Sequence, residues 1–162
     1  SILFRQQKSG RIITFSSTSG LVGNPGQANY GAAKSGIAGF TKVVARDLGR
    51  YGVTVNSIAP LANTRMTMSI PESAQRLSKE SGITRGADES GLEQAEDIAP
   101  MVVYLASDHA SNVNGQIFMV HGGTISLMSQ PRPIRTIYSH QEQWSLDELS
   151  KMALKYLVKD FS

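Results

Sequence analysis

Along this chain the spacing of apolar positions changes several times, and each change marks an element. Ile2, Leu3 and Phe4, followed by polar residues and Gly10, read as a helix end with the glycine as a left-handed stop. Arg11 to Ser17 is β-branched and mostly apolar, which suits a strand buried on both faces. Thr18 to Gln27 contains Gly20, Gly23, Pro25 and Gly26 and reads as a loop. From Ala28 to about Arg50 the period is helical, with Ala33, Ile37, Phe40, Val44 and Leu48 on one stripe. Ala28, Ala32, Gly36 and Gly39 form a second stripe of small residues. Glycine costs about 1 kcal/mol in a helix, so this stripe implies close approach of another backbone. Val53 to Pro60 reads as a second strand, stopped by its proline.

Residues 61–96 are polar and without a sustained period. Residues 65–96 are expected to close over a ligand and to move in its absence. Asp97 is placed to cap a helix whose apolar positions are Ile98, Met101, Val102 and Leu105, with Pro100 tolerated in its first turn. Gly115 to Val120 reads as a third strand ending at Gly122 and Gly123. In the tail, Ser145 and Glu148 make a capping box, and Trp144 is spaced to staple to Leu149, predicting a helix over about 145–158. Strands separated by helical crossovers define an α/β fold with a parallel sheet. Three strands are few for that architecture.

Composition narrows the classes. The 162 residues, 40% hydrophobic and 18% charged, suffice for one domain. No apolar run approaches the roughly 20 residues of a membrane-crossing helix. With no cysteine, the chain has no disulfide, thiol nucleophile or thiolate metal site, which fits a reducing compartment. His109, His121 and His140 are scattered and form no metal-ligand cluster. The net charge of +3 is unevenly spread: residues 1–70 carry eight Lys or Arg against the single acid Asp47, and residues 71–97 carry seven acids against three bases. That asymmetry reads as a basic face turned toward acidic surface elsewhere, or as solvated charge. No nucleic-acid motif accompanies it, and no nucleic-acid partner is expected.

Ser17, Tyr30 and Lys34 are the residues with chemical potential. Tyr30 and Lys34 are i and i+4 on the predicted helix, so they share a face with Cβ atoms about 5 to 6 Å apart. Ser17 falls at the C-terminal end of a predicted parallel strand, where open α/β sheets bind ligands. An ammonium beside a phenol favours phenolate, so Tyr30 is expected to exchange a proton near neutral pH. Ser17 is expected to donate to a carbonyl oxygen gaining negative charge. Taken alone, the Tyr30–Lys34 pair also reads as a lysine snorkelling along a surface tyrosine. The surrounding order sets it apart: Ser16-Ser17-Thr18-Ser19-Gly20, Gly26-Gln27-Ala28-Asn29-Tyr30, Tyr30-Gly31-Ala32-Ala33-Lys34 and Asn56-Ser57-Ile58-Ala59-Pro60 fall on strand, helix and strand.

That combination resembles the short-chain dehydrogenase/reductase family over residues 1–123, as its C-terminal catalytic half. Asp97-Ile98-Ala99 through Tyr104 to Asp108, Gly115-Gln116 and Gly122-Gly123 are similar to the family's last helix and strand. The resemblance implies the C-terminal portion of a Rossmann-like doubly wound sheet, with about three strands, flanking helices and a helical tail over 124–162. It implies that Ser17 polarises the substrate carbonyl and that Tyr30 gives or takes the proton. Lys34 would lower the tyrosine pKa and hold the nicotinamide ribose. Pro60, Leu61 and Thr64 would line the nicotinamide. The cofactor would be NAD or NADP.

Departures sharpen the reading. Leu61 follows Pro60 where the family usually has glycine, and His121 stands where aspartate often precedes the final Gly-Gly. The short Pro60 to Thr67 stretch and the helical tail are similar to the D-hydroxyacyl-CoA dehydrogenase unit of peroxisomal multifunctional β-oxidation enzymes and its bacterial relatives. Gly20 to Gly26 follows a strand, but its place after the serine makes it an active-site loop and not a pyrophosphate cradle. The family's glycine-rich turn, its NAD/NADP selector and its relay asparagine have no counterpart here. The chain starts at Ser1 without Met or a signal-like segment and reads as the later part of a larger domain.

The expected activity is hydride transfer between NAD(P) and a 3-hydroxyacyl or 3-oxoacyl substrate, acyl-CoA among them. Two alternatives remain: an assembly module inactive by itself, and a dehydrogenase of another alcohol or ketone such as a sugar or steroid. A homo-oligomer through the 28–50 helix face is expected, in the cytoplasm, or in the peroxisome if the source is eukaryotic.

Overall fold

The computed structural model describes residues 1–61, 94–139 and 143–158. Its described elements are α1 (Ile2–Gln7), β1 (Gly10–Phe15), α2 (Thr18–Leu21), α3 (Ala28–Gly49) and β2 (Val53–Pro60). A 3-10 turn (Ala95–Ile98) then runs into α4 (Ala99–Ala106), followed by β3 (Ile117–His121), β4 (Thr124–Leu127) and α5 (Leu146–Met152). A π-helical stretch, Ala153–Leu157, continues α5.

The strands form one four-stranded sheet in the order β1-β2-β3-β4. β1 and β2 are parallel, with Gly10 opposite Val53 and Phe15 opposite Ile58. β2 and β3 are also parallel, Ser57 facing Ile117. This is the expected parallel core. β4 is an addition to it: Thr124 to Leu127 turn back at Gly122-Gly123 and pair antiparallel with β3, so these residues belong to the sheet. Accordingly one compact unit runs from Ser1 to Met128 and a second from Ser129 to Ser162.

Alternation along β2 explains why the sheet carries helices on both faces. Val53 and Val55 point to one side and pack with Ala45 and Leu48 of α3. Ile58 points to the other side and packs with Met101 and Leu105 of α4 and Val120 of β3. From Val53 to Ala59 every residue of β2 is buried, as a continuous apolar-rich strand in a parallel sheet requires. The N-terminal half of β2 extends beyond β3, and side chains there complete the pairing. Asn114 Oδ1 accepts the Val55 N–H at 2.8 Å, and its Nδ2 donates to the Ala45 carbonyl at 3.1 Å. Asn56 Nδ2 donates to the Val113 carbonyl at 2.8 Å, while its Oδ1 accepts the Gln116 N–H at 3.0 Å.

Several local expectations change. Gly10 opens β1; the left-handed residue that ends α1 is Lys8, with φ of 53°. Glycine at 10 answers to packing, since a Cβ there would lie 2.7 Å from the Phe4 ring. The buried side of α3 consists of Ala38, Thr41, Ala45 and Leu48, whereas Ala33 and Phe40 of the expected stripe are exposed. The small-residue stripe faces outward, and among the described residues nothing beyond the local helix backbone lies within 4 Å of a Cβ built on Gly36 or Gly39. Gln94 caps the 3-10 turn, and Asp97 instead accepts the Gln94 N–H at 2.8 Å. In the second unit, Ser145 Oγ caps α5 by accepting the Glu148 N–H at 3.2 Å. No described helix is long and apolar enough to cross a membrane.

Candidate active site

Because β1, β2 and β3 are parallel, their C-terminal ends share one edge of the sheet, and every candidate residue within the described chain lies there. Ser16 continues the ladder past β1, its N–H bonding the Ile58 carbonyl at 2.8 Å. Ser17 then caps α2, and its Oγ accepts the Ser19 N–H at 3.2 Å. That bond occupies an oxygen lone pair and leaves the Ser17 O–H available to donate.

Tyr30 sits in the first turn of α3 and is 42% exposed. The carboxamide oxygen of Asn29 accepts its backbone N–H at 2.8 Å, which satisfies one of the free donors at the helix start. Lys34 follows one turn later. Its Nζ donates to the Phe15 carbonyl at the end of β1, at 2.9 Å, and lies 5.7 Å from the centre of the Tyr30 ring. The ammonium is therefore held between the strand end and the phenol, within cation–π range. Among the described residues no hydrogen bond links Ser17 to Tyr30 or Lys34, and none is made by the Tyr30 hydroxyl.

Pro60 ends β2, and the N–H of Leu61 bonds the Val120 carbonyl at 2.9 Å, fixing both at the same sheet edge. Thr64 and residues 65–93 of the expected closing segment lie outside the described residues. His121, half-buried, is the last residue of β3, opposite Thr124. The Gly20–Gly26 loop is partly helical: α2 occupies its first turn, and Gly23 and Gly26 take φ of 102° and 74° in the return toward α3.

Sequence reasoning passed over Gln27 and Asn24. Gln27 Oε1 accepts the Ser19 hydroxyl at 2.7 Å, and Asn24 Oδ1 is buried without a hydrogen bond. Polar residues between glycines gave no periodic signal by which to find them.

The donor set suits a nicotinamide nucleotide at its ribose end. An ammonium and a phenol one helical turn apart match a sugar diol, and Pro60 and Leu61 lie at the same carboxyl end of the sheet.

A mostly parallel four-stranded sheet with helices on both faces, carrying an i, i+4 Tyr–Lys pair at the carboxyl edge of its strands, defines the class as a Rossmann-like α/β fold. The chain belongs to the short-chain dehydrogenase/reductase family: a family model described as enoyl-(acyl carrier protein) reductase matches residues 2–124. It is 38% identical over 149 residues to the hydroxyacyl-CoA dehydrogenase ChsB1 of Mycobacterium tuberculosis, covering 92% of this chain and 44% of that protein. It is 47% identical over 115 residues to the 3-oxoacyl-[acyl-carrier-protein] reductase FabG of Pseudomonas aeruginosa, covering 70% of this chain and 44% of the relative. The solved structure of a short chain dehydrogenase from Mycobacterium avium superposes with a TM-score of 0.71 at 38% identity, over 93% of this chain and 46% of that one. The full-length peroxisomal multifunctional enzyme type 2 of Drosophila melanogaster shares the fold, with a TM-score of 0.70 at 24% identity over 99% of this chain and 26% of that one. The chain thus spans about half the length of the curated relatives it matches.

Proposed function

We propose that this chain carries the catalytic residues of an oxidoreductase that interconverts 3-hydroxyacyl and 3-oxoacyl thioesters with NAD or NADP. The observation that supports it most is the Lys34 ammonium held by the Phe15 carbonyl beside the Tyr30 ring, at the sheet edge that also carries Ser17. The names of the relatives, a hydroxyacyl-CoA dehydrogenase and 3-oxoacyl-[acyl-carrier-protein] reductases, favour acyl thioesters over sugars or steroids.

In this reading the substrate oxygen lies between the Ser17 O–H, which donates to it, and the Tyr30 hydroxyl. During reduction Tyr30 gives its proton to that oxygen as C3 becomes an alcohol carbon; during oxidation Tyr30 takes the proton back. Lys34, held beside the phenol ring, orients the ribose diol. Pro60 and Leu61 would border the nicotinamide, whose contribution when bound is to supply or accept the hydride. The catalytic portion, expected over residues 1–123, extends with its sheet to Met128, and residues 129–162 act as the tail. Homo-oligomers form through the outer face of α3, where Phe40 is 53% and Val43 59% exposed. The reaction is cytoplasmic, or peroxisomal in a eukaryote.

The test is fluorescence titration of the purified protein with NADH and NADPH, followed by turnover of a 3-oxoacyl-CoA. Tyr30→Phe is expected to lower turnover by about 10² to 10⁴-fold while sparing cofactor affinity. Unimpaired turnover in Tyr30→Phe overturns the proton-transfer assignment. A second reading, an assembly module with no activity of its own, draws on the same exposed α3 face. Absence of any cofactor binding, with a stable oligomer in sedimentation, favours that reading.

A further inference from the structure

The segment that carries Ser17 meets the helix that carries Tyr30 and Lys34 through two hydrogen bonds and two close approaches. Ser16 is buried, and its Oγ donates to the Lys34 backbone carbonyl at 2.8 Å. Ser35 Oγ donates to the Gly20 carbonyl at 2.5 Å. Between these bonds, Gly20 lies directly on the helix backbone. A Cβ there would stand 2.6 Å from Lys34 C, 2.6 Å from Ser35 N and 2.7 Å from Lys34 Cβ. One turn back, a Cβ on Gly31 would come within 3.1 Å of the Ser19 carbonyl oxygen.

We propose that Gly20, with Ser16 and Ser35, is a positioning group that sets the placement of the Ser17 hydroxyl relative to Tyr30 and Lys34. None of the three needs to touch substrate. Their kinetic consequence rests on the function proposed above; the geometric coupling does not. The direction of yielding follows from the anchoring of each partner. α3 is fixed to the sheet by buried Ala38, Thr41, Ala45 and Leu48, whereas α2 is one turn with no buried residue. A methyl group on Gly20 therefore lifts α2, and Ser17 with it, by about 1 Å to reach ordinary carbon–carbon separation. Misplacing a reacting group by that much costs about 100-fold in rate. Tyr30 and Lys34 stay where they are, so cofactor affinity is retained.

The experiment compares Gly20→Ala, Ser35→Ala and Ser35→Thr with the unmodified protein, reading kcat, cofactor KM and amide hydrogen exchange. Gly20→Ala is expected to lose about 100-fold in kcat with cofactor KM unchanged. Ser35→Ala is expected to lose about tenfold, the worth of one hydrogen bond, and Ser35→Thr, which keeps the hydroxyl, to recover it. Amides of Gly20 and Leu21, bonded to the Ser17 carbonyl at 3.0 and 3.1 Å, should exchange faster in the two impaired variants, with β2 amides unchanged. The proposal is overturned if Gly20→Ala retains full kcat, if Ser35→Thr is as poor as Ser35→Ala, or if β2 amides accelerate in step with α2. If Gly20→Ala does not fold, the Ser35 pair decides. If the unmodified protein turns over no 3-oxoacyl thioester, the proposed function fails, and the exchange contrast between Ser35→Ala and Ser35→Thr alone decides the positioning role.

Discussion

Replacing Asn56 by alanine removes both side-chain bonds that tie β2 to the segment before β3. The residue is 1% exposed, so the Val113 carbonyl and the Gln116 N–H lose their partners inside the protein. Each buried group left unpaired costs about 1–3 kcal/mol, and water entering the vacated space offsets part of this, so we expect a loss of about 2–4 kcal/mol. Against a typical domain stability of about 5–15 kcal/mol that is a large fraction. With a urea m-value of about 2 kcal/mol/M, the midpoint falls by about 1–2 M. Urea titration followed by far-UV circular dichroism measures it, and hydrogen exchange at Gln116 reports the same site. Asn56→Asp separates hydrogen bonding from volume: its carboxylate still accepts from Gln116 but cannot donate to Val113, and it adds a buried charge. It should be no more stable than Asn56→Ala. The reasoning fails if Asn56→Ala moves the midpoint no further than a surface substitution does, or if Asn56→Asp is as stable as the unmodified protein.

Further outcomes follow from the same geometry. Lys8→Gly, at φ of 53°, should stabilise by about 0.5 kcal/mol in urea titration, as relief of left-handed strain exceeds the added flexibility of the unfolded chain. Gly52→Ala should destabilise by about 1–3 kcal/mol, because φ is 71° and the new Cβ would meet the Lys8 carbonyl oxygen at 2.6 Å. Asp108→Asn removes the charge pair with Arg11 at 3.2 Å but should leave the urea midpoint where it is, since the carboxylate is fully exposed. Ser17→Ala should lower kcat by about 10² to 10³-fold with cofactor binding intact, measured by steady-state kinetics.

How legible these features are in the sequence depends on the range of the interactions behind them. Tyr30 and Lys34 share a turn of one helix, so their spacing alone placed them together. β2 was legible because a fully buried parallel strand is a run of β-branched and small residues bounded by Gly52 and Pro60. The buried side of α3 was misjudged because Thr41 reads as polar. Its hydroxyl is satisfied internally, sharing a 2.7 Å hydrogen bond with Thr14 Oγ1 and donating to the Ile37 carbonyl at 2.9 Å, so it is buried at no loss. Phe40 reads as core yet faces outward, since hydropathy cannot tell a core face from an apolar surface. β4 is four residues long, and its pairing with β3 depends on a turn at two glycines that equally suits a chain end. The contact between Gly20 and Lys34 left no periodic trace, since a glycine in a loop reads first as a turn former.

The local character of the α2–α3 junction bears on the order in which the chain acquires structure. The bond from Ser16 to Lys34 spans 18 residues, whereas Thr14 reaches Asn56 across 42 and Val55 reaches Asn114 across 59. Closing a longer loop costs more entropy, and contacts that are near in sequence form early. Ser17, Tyr30 and Lys34 are therefore expected to order together, before the sheet that supports them. Pulse-labelling during refolding should find the amides of α3 protected before those of β2.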